Sequence, residues 1–238
     1  MNFSISNKYK SPNFNKRKGG DLLDTIIIHY TGMQNEQLAL NYLCNKKSKV
    51  SAHYFINEEG QIFQIVDDFN VAWHAGISKW QKRKKLNDTS IGIELVNPGH
   101  EHGYKTFTEK QYKSLEQLIK LLFDKYNIKK DRVLGHSDIA PSRKLDPGEN
   151  FDWHRLARKS LAIWPDKIVT VPESIKSDKL LYNLLSEIGY DVKNHYKSSL
   201  IAFKRRFIPS YIQEDTNELV VNTAYSVSQV FSKVRSLY

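Results

Sequence analysis

Three widely separated side chains of this 238-residue sequence have the chemistry of metal ligands. His29 ends one short apolar run, His136 follows another, and Asp146 lies further on in a loop rich in Pro and Gly. Two imidazoles and one carboxylate would leave a fourth position open on zinc, which is the pattern of catalytic sites. A single strand-end histidine is more often a polar cap, so the prediction depends on all three residues together.

These ligands need strands and helices that bring them together. The apolar segments 24–29 (DTIIIH), 91–96 (IGIELV) and 132–134 predict buried strands, and residues 53–66 predict a hairpin around Glu-Glu-Gly. A helix with an apolar stripe is predicted from Thr108, whose Thr-Glu-Lys-Gln sequence fits a capping box. Because strands and helices alternate, we predict an α/β sheet with covering helices.

The character of the sequence changes after Pro165. Residues 165–177 have the composition of a linker, and three helical patterns follow at 179–188, 195–206 and 217–236. We therefore predict one domain over residues 1–164, a linker over 165–177, and a small three-helix domain over 178–238.

Composition indicates a folded protein with a basic surface. Hydrophobic residues make up 40% of the chain and charged residues 26%, with a net charge of +10. The single cysteine excludes an internal disulfide, an iron–sulfur cluster and a structural zinc site of the Cys type. The surplus positive charge is either a solvated surface or an attraction for polyanions. We predict no specific nucleic acid partner, because no zinc-finger, helix-turn-helix or RNA-recognition motif occurs.

The sequence gives only indirect evidence on compartment. No segment approaches the roughly 18 apolar residues of a membrane span. The first twenty residues lack the apolar core and cleavage site of a secretory signal. The default prediction is cytoplasmic, and the alternative is the periplasm by a non-standard export route. Nothing in the sequence indicates an oligomeric state.

A set of motifs in fixed order links the sequence to a known family. The strongest is GHSDIAPSRKLDPG at 135–148, and the others are IIIHYTG at 26–32, SAHYFIN at 51–57, AWHAGISKW at 72–80 and LNDTSIGIELVNPG at 86–99. Together they resemble the type 2 N-acetylmuramoyl-L-alanine amidases. The resemblance is closest to the branch that cleaves anhydromuramoyl-peptides, which includes a form with a C-terminal wall-binding module.

The resemblance implies roles for particular residues. The zinc ligands of the family fall on His29, His136 and Asp146, which implies one zinc ion per chain. The catalytic acidic residue falls on Glu94 and the catalytic lysine on Lys144. The family's fold implies a mixed central sheet with flanking helices, as in peptidoglycan-recognition proteins.

Three further residues near these motifs have more than one interpretation. Trp73 and His74 fall where the family lines its substrate cleft, although Trp73 could equally be a core residue. His53 precedes an apolar strand and is interpreted as a structural residue or one that supports the metal site.

The C-terminal helices resemble the three-helix peptidoglycan-binding domain of wall hydrolases. The resemblance lies in residues 180–190 and 201–207, but Lys204 stands where that family usually has Gln. The alternative is a helical appendage that only packs on the catalytic domain. The basic side chains at 204–206 would suit the carboxylates of stem peptides or form a solvated face.

The expected function is zinc-dependent hydrolysis of the amide bond between the lactyl group of N-acetylmuramic acid and L-alanine. The substrate would be peptidoglycan or muropeptides, with the sugar in its 1,6-anhydro form or in intact sacculus. One alternative is a non-catalytic peptidoglycan receptor on the same fold, and another is a basic nucleic-acid binder. An unrelated zinc peptidase is disfavoured because no His-Glu-x-x-His sequence occurs.

Overall fold

A six-stranded mixed sheet forms the centre of the protein, seen in a computed structural model that describes residues 3–18 and 22–237. The predicted domain ends Met1 and Tyr238 lie outside the described residues. Ten strands occur in the described residues: β1 Ile5–Ser6, β2 Phe14–Lys16, β3 Thr25–Tyr30, β4 Tyr54–Ile56, β5 Ile62–Gln64, β6 Asn70–Ala72, β7 Lys79–Trp80, β8 Arg83–Lys84, β9 Ser90–Leu95 and β10 Val133–Gly135.

Seven α-helices surround the sheet in the same described residues. They are α1 Glu36–Leu43, α2 Glu109–Tyr126, α3 His136–Ile139, α4 Trp153–Arg158, α5 Asp178–Ile188, α6 Val192–Phe207 and α7 Glu218–Ser236. Thr108 caps α2 through the predicted capping box with Gln111. The predicted helices and main strands are therefore present, while the two- and three-residue strands β1, β2 and β6–β8 were not predicted.

The strand order of the main sheet is β1-β5-β4-β9-β3-β10. Strands β4, β9, β3 and β10 are parallel to one another, whereas β5 runs antiparallel to β4 and β1 is parallel to β5. Two further pairs, β2 with β6 and β7 with β8, form small antiparallel ribbons. This topology confirms the predicted α/β fold with a mixed central sheet and flanking helices.

The two faces of the sheet are covered by different parts of the chain. Ile26 and Ile28 of β3 pack in a cluster with the apolar stripe of α2. Ile27 between them points to the other face, since side chains alternate along a strand. It packs in a cluster with residues of α5, α6 and α7. The C-terminal helices therefore share a hydrophobic core with the sheet, and the division at residues 164 and 178 stays a prediction.

The basic side chains near the end of α6 are buried, so the expectation of a free or solvated basic face there is wrong. Lys204, Arg205 and Arg206 are each less than a tenth exposed. The Lys204 ammonium donates to the carbonyl of Glu214 at 2.6 Å, and Arg205 lies 3.6 Å from the Glu149 carboxylate. Arg206 forms an ion pair with the buried carboxylate of Asp138 in α3.

No helix among the described residues has the length and apolarity needed to cross a membrane.

Asp68 organises the edge of the fold where α2 ends. Its buried carboxylate accepts hydrogen bonds from the hydroxyls of Tyr54 at 2.8 Å and Tyr126 at 2.7 Å, and from the Lys125 ammonium at 2.9 Å. Burial alone would raise the pKa of Asp68, but the hydrogen bonds from Tyr126, Lys125 and Tyr54 outweigh it and lower the pKa below 3.8. The ionised carboxylate is therefore the form that stabilises the fold.

We expect Asp68→Ala to lower the free energy of unfolding at pH 7 by about 3 kcal/mol, because the buried hydroxyl of Tyr54 and the partly buried hydroxyl of Tyr126 lose their acceptor. A lowered pKa means that this contribution is complete above the usual value of 3.8 and is lost as the pH falls through the folded-state pKa. Urea unfolding at several pH values measures it. A difference between wild type and variant that is already lost at pH 5 would contradict the assignment.

Candidate metal centre and active site

Adjacent parallel strands bring the predicted site residues to one edge of the sheet. His29, near the end of β3, is in register with Glu94 of β9, and Ile28 is in register with Gly135 of β10. His136 follows Gly135 at the start of α3 and so lies level with His29. Because parallel strands present their carboxyl ends at the same edge, residues far apart in sequence meet there.

The loop after α3 returns Asp146 to the same edge. Its carbonyl accepts a hydrogen bond from the Ser137 N–H at 2.9 Å, which fixes the loop against α3. The Oδ2 atom of Asp146 then lies 2.9 Å from Nδ1 of His29 and 3.0 Å from Nδ1 of His136. The two Nδ1 atoms are themselves 3.0 Å apart, and all three residues are buried.

A chain of hydrogen bonds sets the tautomer of His29. The Ser90 hydroxyl donates to the carbonyl of Leu86, so toward Nε2 of His74, 3.2 Å away, it can only accept. His74 therefore carries its proton on Nε2, and its Nδ1 accepts from Nε2 of His29 at 3.0 Å. With the proton of His29 on Nε2, its Nδ1 presents a lone pair.

His136 has the same arrangement. Its Nε2 lies 3.1 Å from the carbonyl of Ala75, an obligate acceptor, so Nε2 carries the proton and Nδ1 is free to bind a cation. Two nitrogen lone pairs and a carboxylate oxygen at 3 Å would repel one another unless they share a cation. Ligand atoms about 2.0–2.1 Å from one tetrahedral zinc ion are about 3.3 Å apart, close to this spacing. His29, His136 and Asp146 could therefore hold a metal ion.

The dipeptide His74–Ala75 orients both imidazole ligands. Both of its backbone N–H groups donate to the side-chain oxygen of Asn87, at 3.1 and 2.7 Å. Arg143 also donates to the Ala75 carbonyl, at 3.0 Å. The His74 ring lies directly over Gly92, where an added Cβ would come within 2.4 Å of the imidazole. Such supporting hydrogen bonds fix the orientation of metal-binding histidines.

Burial and neighbouring charges favour the protonation states that bind metal. Burial, with a smaller effect of His136, lowers the pKa of His29 to about 4, so this imidazole is neutral at pH 7. Burial also lowers the pKa of His74. Burial alone would raise the pKa of Asp146, but the charge and N–H donor of a protonated His136 or His29 outweigh it and lower the pKa, so the carboxylate is ionised. Neutral imidazoles and a carboxylate are the forms that metal ions require.

Glu94 and Lys144 line the same cleft as the three convergent ligands. One carboxylate oxygen of Glu94 is buried and has no hydrogen-bond partner among the residues that the structure describes. Burial and then the charge of Asp146 raise the pKa of Glu94 well above its ordinary value, while the positive charge of Lys144 lowers it. A buried acid with a raised pKa in a cleft is suited to proton transfer.

Aromatic side chains line part of the cleft. The cleft encloses about 540 Å³, and Tyr42 lines it on the side of α1. Trp73 is partly buried at the cleft, and its indole N–H donates to the side-chain oxygen of Asn15 at 2.5 Å. The imidazole of His74 instead points to His29. The substrate-binding roles predicted for Trp73 and His74 stay predictions.

His53 is fully buried behind the site. Its Nδ1 accepts from the backbone N–H of Gly92 at 3.0 Å, and its Nε2 lies 3.1 Å from the carbonyl of Asn70. Both ring nitrogens are therefore satisfied, and burial lowers the pKa of His53 to about 4. This geometry agrees with the structural interpretation of His53.

Comparison with known proteins gives the family. The N-acetylmuramoyl-L-alanine amidase family model matches residues 19–149, more than half of the chain. The chain belongs to the type 2 N-acetylmuramoyl-L-alanine amidase family. Among relatives of this amidase, the N-acetylmuramoyl-L-alanine amidase AmiD of Escherichia coli is 35% identical over 212 residues, which cover 79% of this chain and 76% of AmiD.

A second relative is the 1,6-anhydro-N-acetylmuramyl-L-alanine amidase AmpD of Haemophilus influenzae. It is 38% identical over 164 residues, which cover 61% of this chain and 87% of AmpD.

Solved structures of the family have the same architecture. E. coli AmiD in complex with the substrate anhydro-N-acetylmuramic acid-L-Ala-D-gamma-Glu-L-Lys matches with a TM-score of 0.78 at 31% identity, covering 90% of this amidase and 92% of AmiD. AmpDh3 of Pseudomonas aeruginosa in complex with anhydromuramic pentapeptide matches with a TM-score of 0.80 at 26% identity, covering 97% and 99%. The predicted family and fold are thereby confirmed.

Several supporting residues of this amidase were not predicted from the sequence. Asn87 and Arg143 lie within the quoted motifs but have no chemistry of their own that marks them. Their role depends on backbone groups, the N–H groups and carbonyl of the segment at 74–75, whose positions a sequence does not display. Gly92 gave one available signal, because glycine inside an apolar strand often marks a close approach.

We expect Gly92→Ala to weaken zinc affinity about 10-fold to 100-fold, because the new methyl group displaces His74 and releases Nε2 of His29. Competition with a chromophoric chelator measures the affinity. Gly103→Ala is the control for a general loss of stability: its φ of +94° makes the substitution strain the backbone, but a Cβ at this exposed glycine meets nothing within 4 Å. Equal affinities in the two variants would contradict the role of His74.

Proposed function

We propose that this protein is a zinc-dependent amidase that hydrolyses the bond between the lactyl group of N-acetylmuramic acid and L-alanine. The observation that carries the proposal is a buried carboxylate oxygen of Glu94 that has no hydrogen-bond partner among the described residues, in the same cleft as three convergent metal ligands. The names of AmiD and AmpD and the muropeptides in the related crystal structures support this substrate class.

We propose zinc as the metal, one ion per chain, held by His29, His136 and Asp146. Two imidazoles and one carboxylate suit zinc and leave a position for water, and the described cluster contains no thiolate. When bound, zinc would lower the pKa of a water molecule and polarise the amide carbonyl.

Glu94 is proposed as the residue that moves the proton. An amide nitrogen is a poor leaving group until it is protonated, and attack by water releases a proton. The Glu94 carboxylate can accept the proton from water and donate it to the departing nitrogen. A raised pKa makes the ionised carboxylate a stronger base toward water, and it lets the acid form persist closer to neutral pH for donation to the nitrogen.

Lys144 is proposed to stabilise the developing oxyanion. Lys144 lines the cleft two residues before Asp146, and its positive charge lowers the pKa of both Glu94 and His29. Loss of one such stabilising group typically costs about 10²–10³ in rate. Trp73 is proposed to pack against the sugar or the peptide at the mouth of the cleft.

The alternative function is a non-catalytic receptor that binds muropeptides. A receptor needs the cleft but not a proton-transfer group, so retention of both Glu94 and Lys144 at the ligand cluster favours the enzyme. Mass spectrometry of products from soluble anhydro-muropeptide and from intact sacculus separates the two functions and defines the substrate. The compartment, cytoplasm or periplasm, stays a prediction.

We expect removal of the metal to abolish peptide release. Asp146→Ala should lower zinc content well below one ion per chain, because a two-ligand site binds zinc weakly. Chelation of the wild type should stop release of peptide, and added zinc should restore it in the wild type but not in the variant. Peptide release that survives chelation would exclude a metal-dependent mechanism.

We expect Glu94→Gln to keep one zinc ion per chain and to lower kcat about 10²–10⁴-fold, since only proton transfer is removed. Glu101→Gln is a matched control, because Glu101 is an exposed carboxylate at the rim of the cleft. Loss of zinc from the Glu94 variant would reassign that residue to a structural role.

A further inference from the structure

A buried ion pair joins the C-terminal helices to the segment that carries His136. Nη1 of Arg206, in the last turn of α6, lies 2.6 Å from Oδ2 of Asp138 in α3. The two side chains are almost inaccessible to solvent, at 2% and 1% exposure. Asp138 lies two residues after His136, so the C-terminal helices reach directly to the metal-binding segment.

The same aspartate sets the turn in front of His136. Oδ2 of Asp138 also accepts the backbone N–H of Gly135 at 2.8 Å, at the point where β10 passes into α3. Its Oδ1 accepts the hydroxyl of Tyr190, from the segment between α5 and α6, at 2.7 Å. One carboxylate therefore connects two groups of the C-terminal helices to the backbone that starts α3.

Arg206 also supports the residues around that turn. It donates to the carbonyl of Val133 at 3.2 Å, and its guanidinium carbon lies 3.9 Å from the ring centre of Trp153. Space at Gly135 is tight, since a Cβ there would lie 3.3 Å from Trp153 and 2.8 Å from Pro147, the residue after Asp146. Arg206 therefore supports Trp153 at the point where Gly135 and Pro147 pack closely together. These two residues adjoin the metal ligands His136 and Asp146.

We propose that the C-terminal helices are a positioning element of the metal site, and that Arg206 acts on His136 through Asp138. Without Arg206 the Asp138 carboxylate would be a buried charge without a counter-ion, which is strongly unfavourable. It would turn away and release the Gly135 N–H, so Nδ1 of His136 would be held less firmly. The inference rests on the zinc-binding part of the proposed function and not on the identity of the substrate.

The test is the zinc affinity of full-length Arg206→Met, measured by chelator competition on protein whose fold is checked by circular dichroism. We expect the dissociation constant to rise about 10-fold to 100-fold, the usual effect of losing a group that supports a metal ligand. The absorption spectrum of the cobalt(II) form is a second readout, because it reports the geometry of the ligands.

Arg235→Met is the matched control. Arg235 of α7 also joins the C-terminal helices to a buried aspartate, Asp131, with Nε 3.4 Å from Oδ2. Asp131 precedes β10 at the end opposite to His136. We expect this variant to lose stability while its zinc affinity and cobalt spectrum stay as in the wild type.

A double variant, Arg206→Met with Asp138→Asn, tests whether the effect of Arg206 on His136 passes through Asp138. The asparagine oxygen can still accept the Gly135 N–H without leaving a buried charge, so most of the zinc affinity should return. If Arg206→Met alone does not fold, Arg206→Gln replaces it, because the glutamine keeps a polar group but removes the counter-ion of Asp138. An unchanged dissociation constant in that variant would overturn the inference.

The outcomes separate the two proposals. Equal zinc affinities in the Arg206 and Arg235 variants, with a stoichiometric site in the wild type, would refute the positioning role and leave the zinc site intact. A wild-type protein that binds no zinc would refute the proposed function itself, and the inference with it.

Discussion

The structure depends on holding three electron-rich atoms within about 3 Å of one another, two imidazole nitrogens and one carboxylate oxygen. These atoms repel unless a cation lies among them, so the surrounding chain must keep them in place. Each imidazole is fixed by the hydrogen bond at its other nitrogen. That bond goes to His74 in one case and to the Ala75 carbonyl in the other. The short segment 74–75, held by Asn87, therefore determines which lone pairs face the metal.

The parallel register of β9, β3 and β10 provides the frame for this arrangement. It places Glu94 beside His29 and lets His136 emerge at the same level, on strands far apart in sequence. The site and the C-terminal helices occupy the same face of the sheet, because Ile27 and His29 alternate with residues that face α2. Because the cleft and the C-terminal helices share this face, the helices lie beside the segment that bears His136.

The net charge of +10 suggests a basic surface in the sequence, but the structure shows that not all of the basic residues are on the surface. Some of the basic residues behind this charge lie inside the protein, where Lys204 satisfies a backbone carbonyl and Arg206 pairs with Asp138 and so adds no net charge. In a sequence, three consecutive basic residues in a helix suggest a surface that binds anions. In the structure, Lys204, Arg205 and Arg206 are buried and contact the segments around α6. Charge that is buried and paired in this way stabilises one packing arrangement and is not available to a ligand.

The sequence by itself determined the main strands, the helices and the family, because apolar periodicity, the Thr108 capping box and the ordered motifs are local. It also singled out His29, His136 and Asp146, whose residue types are chemically distinctive. Tertiary structure alone decided which nitrogen of each histidine faces the metal and that Asn87 fixes the supporting backbone. It alone placed the C-terminal helices on the face of the sheet that bears the site. These features depend on backbone groups and burial, and neither is encoded by residue type at a single position.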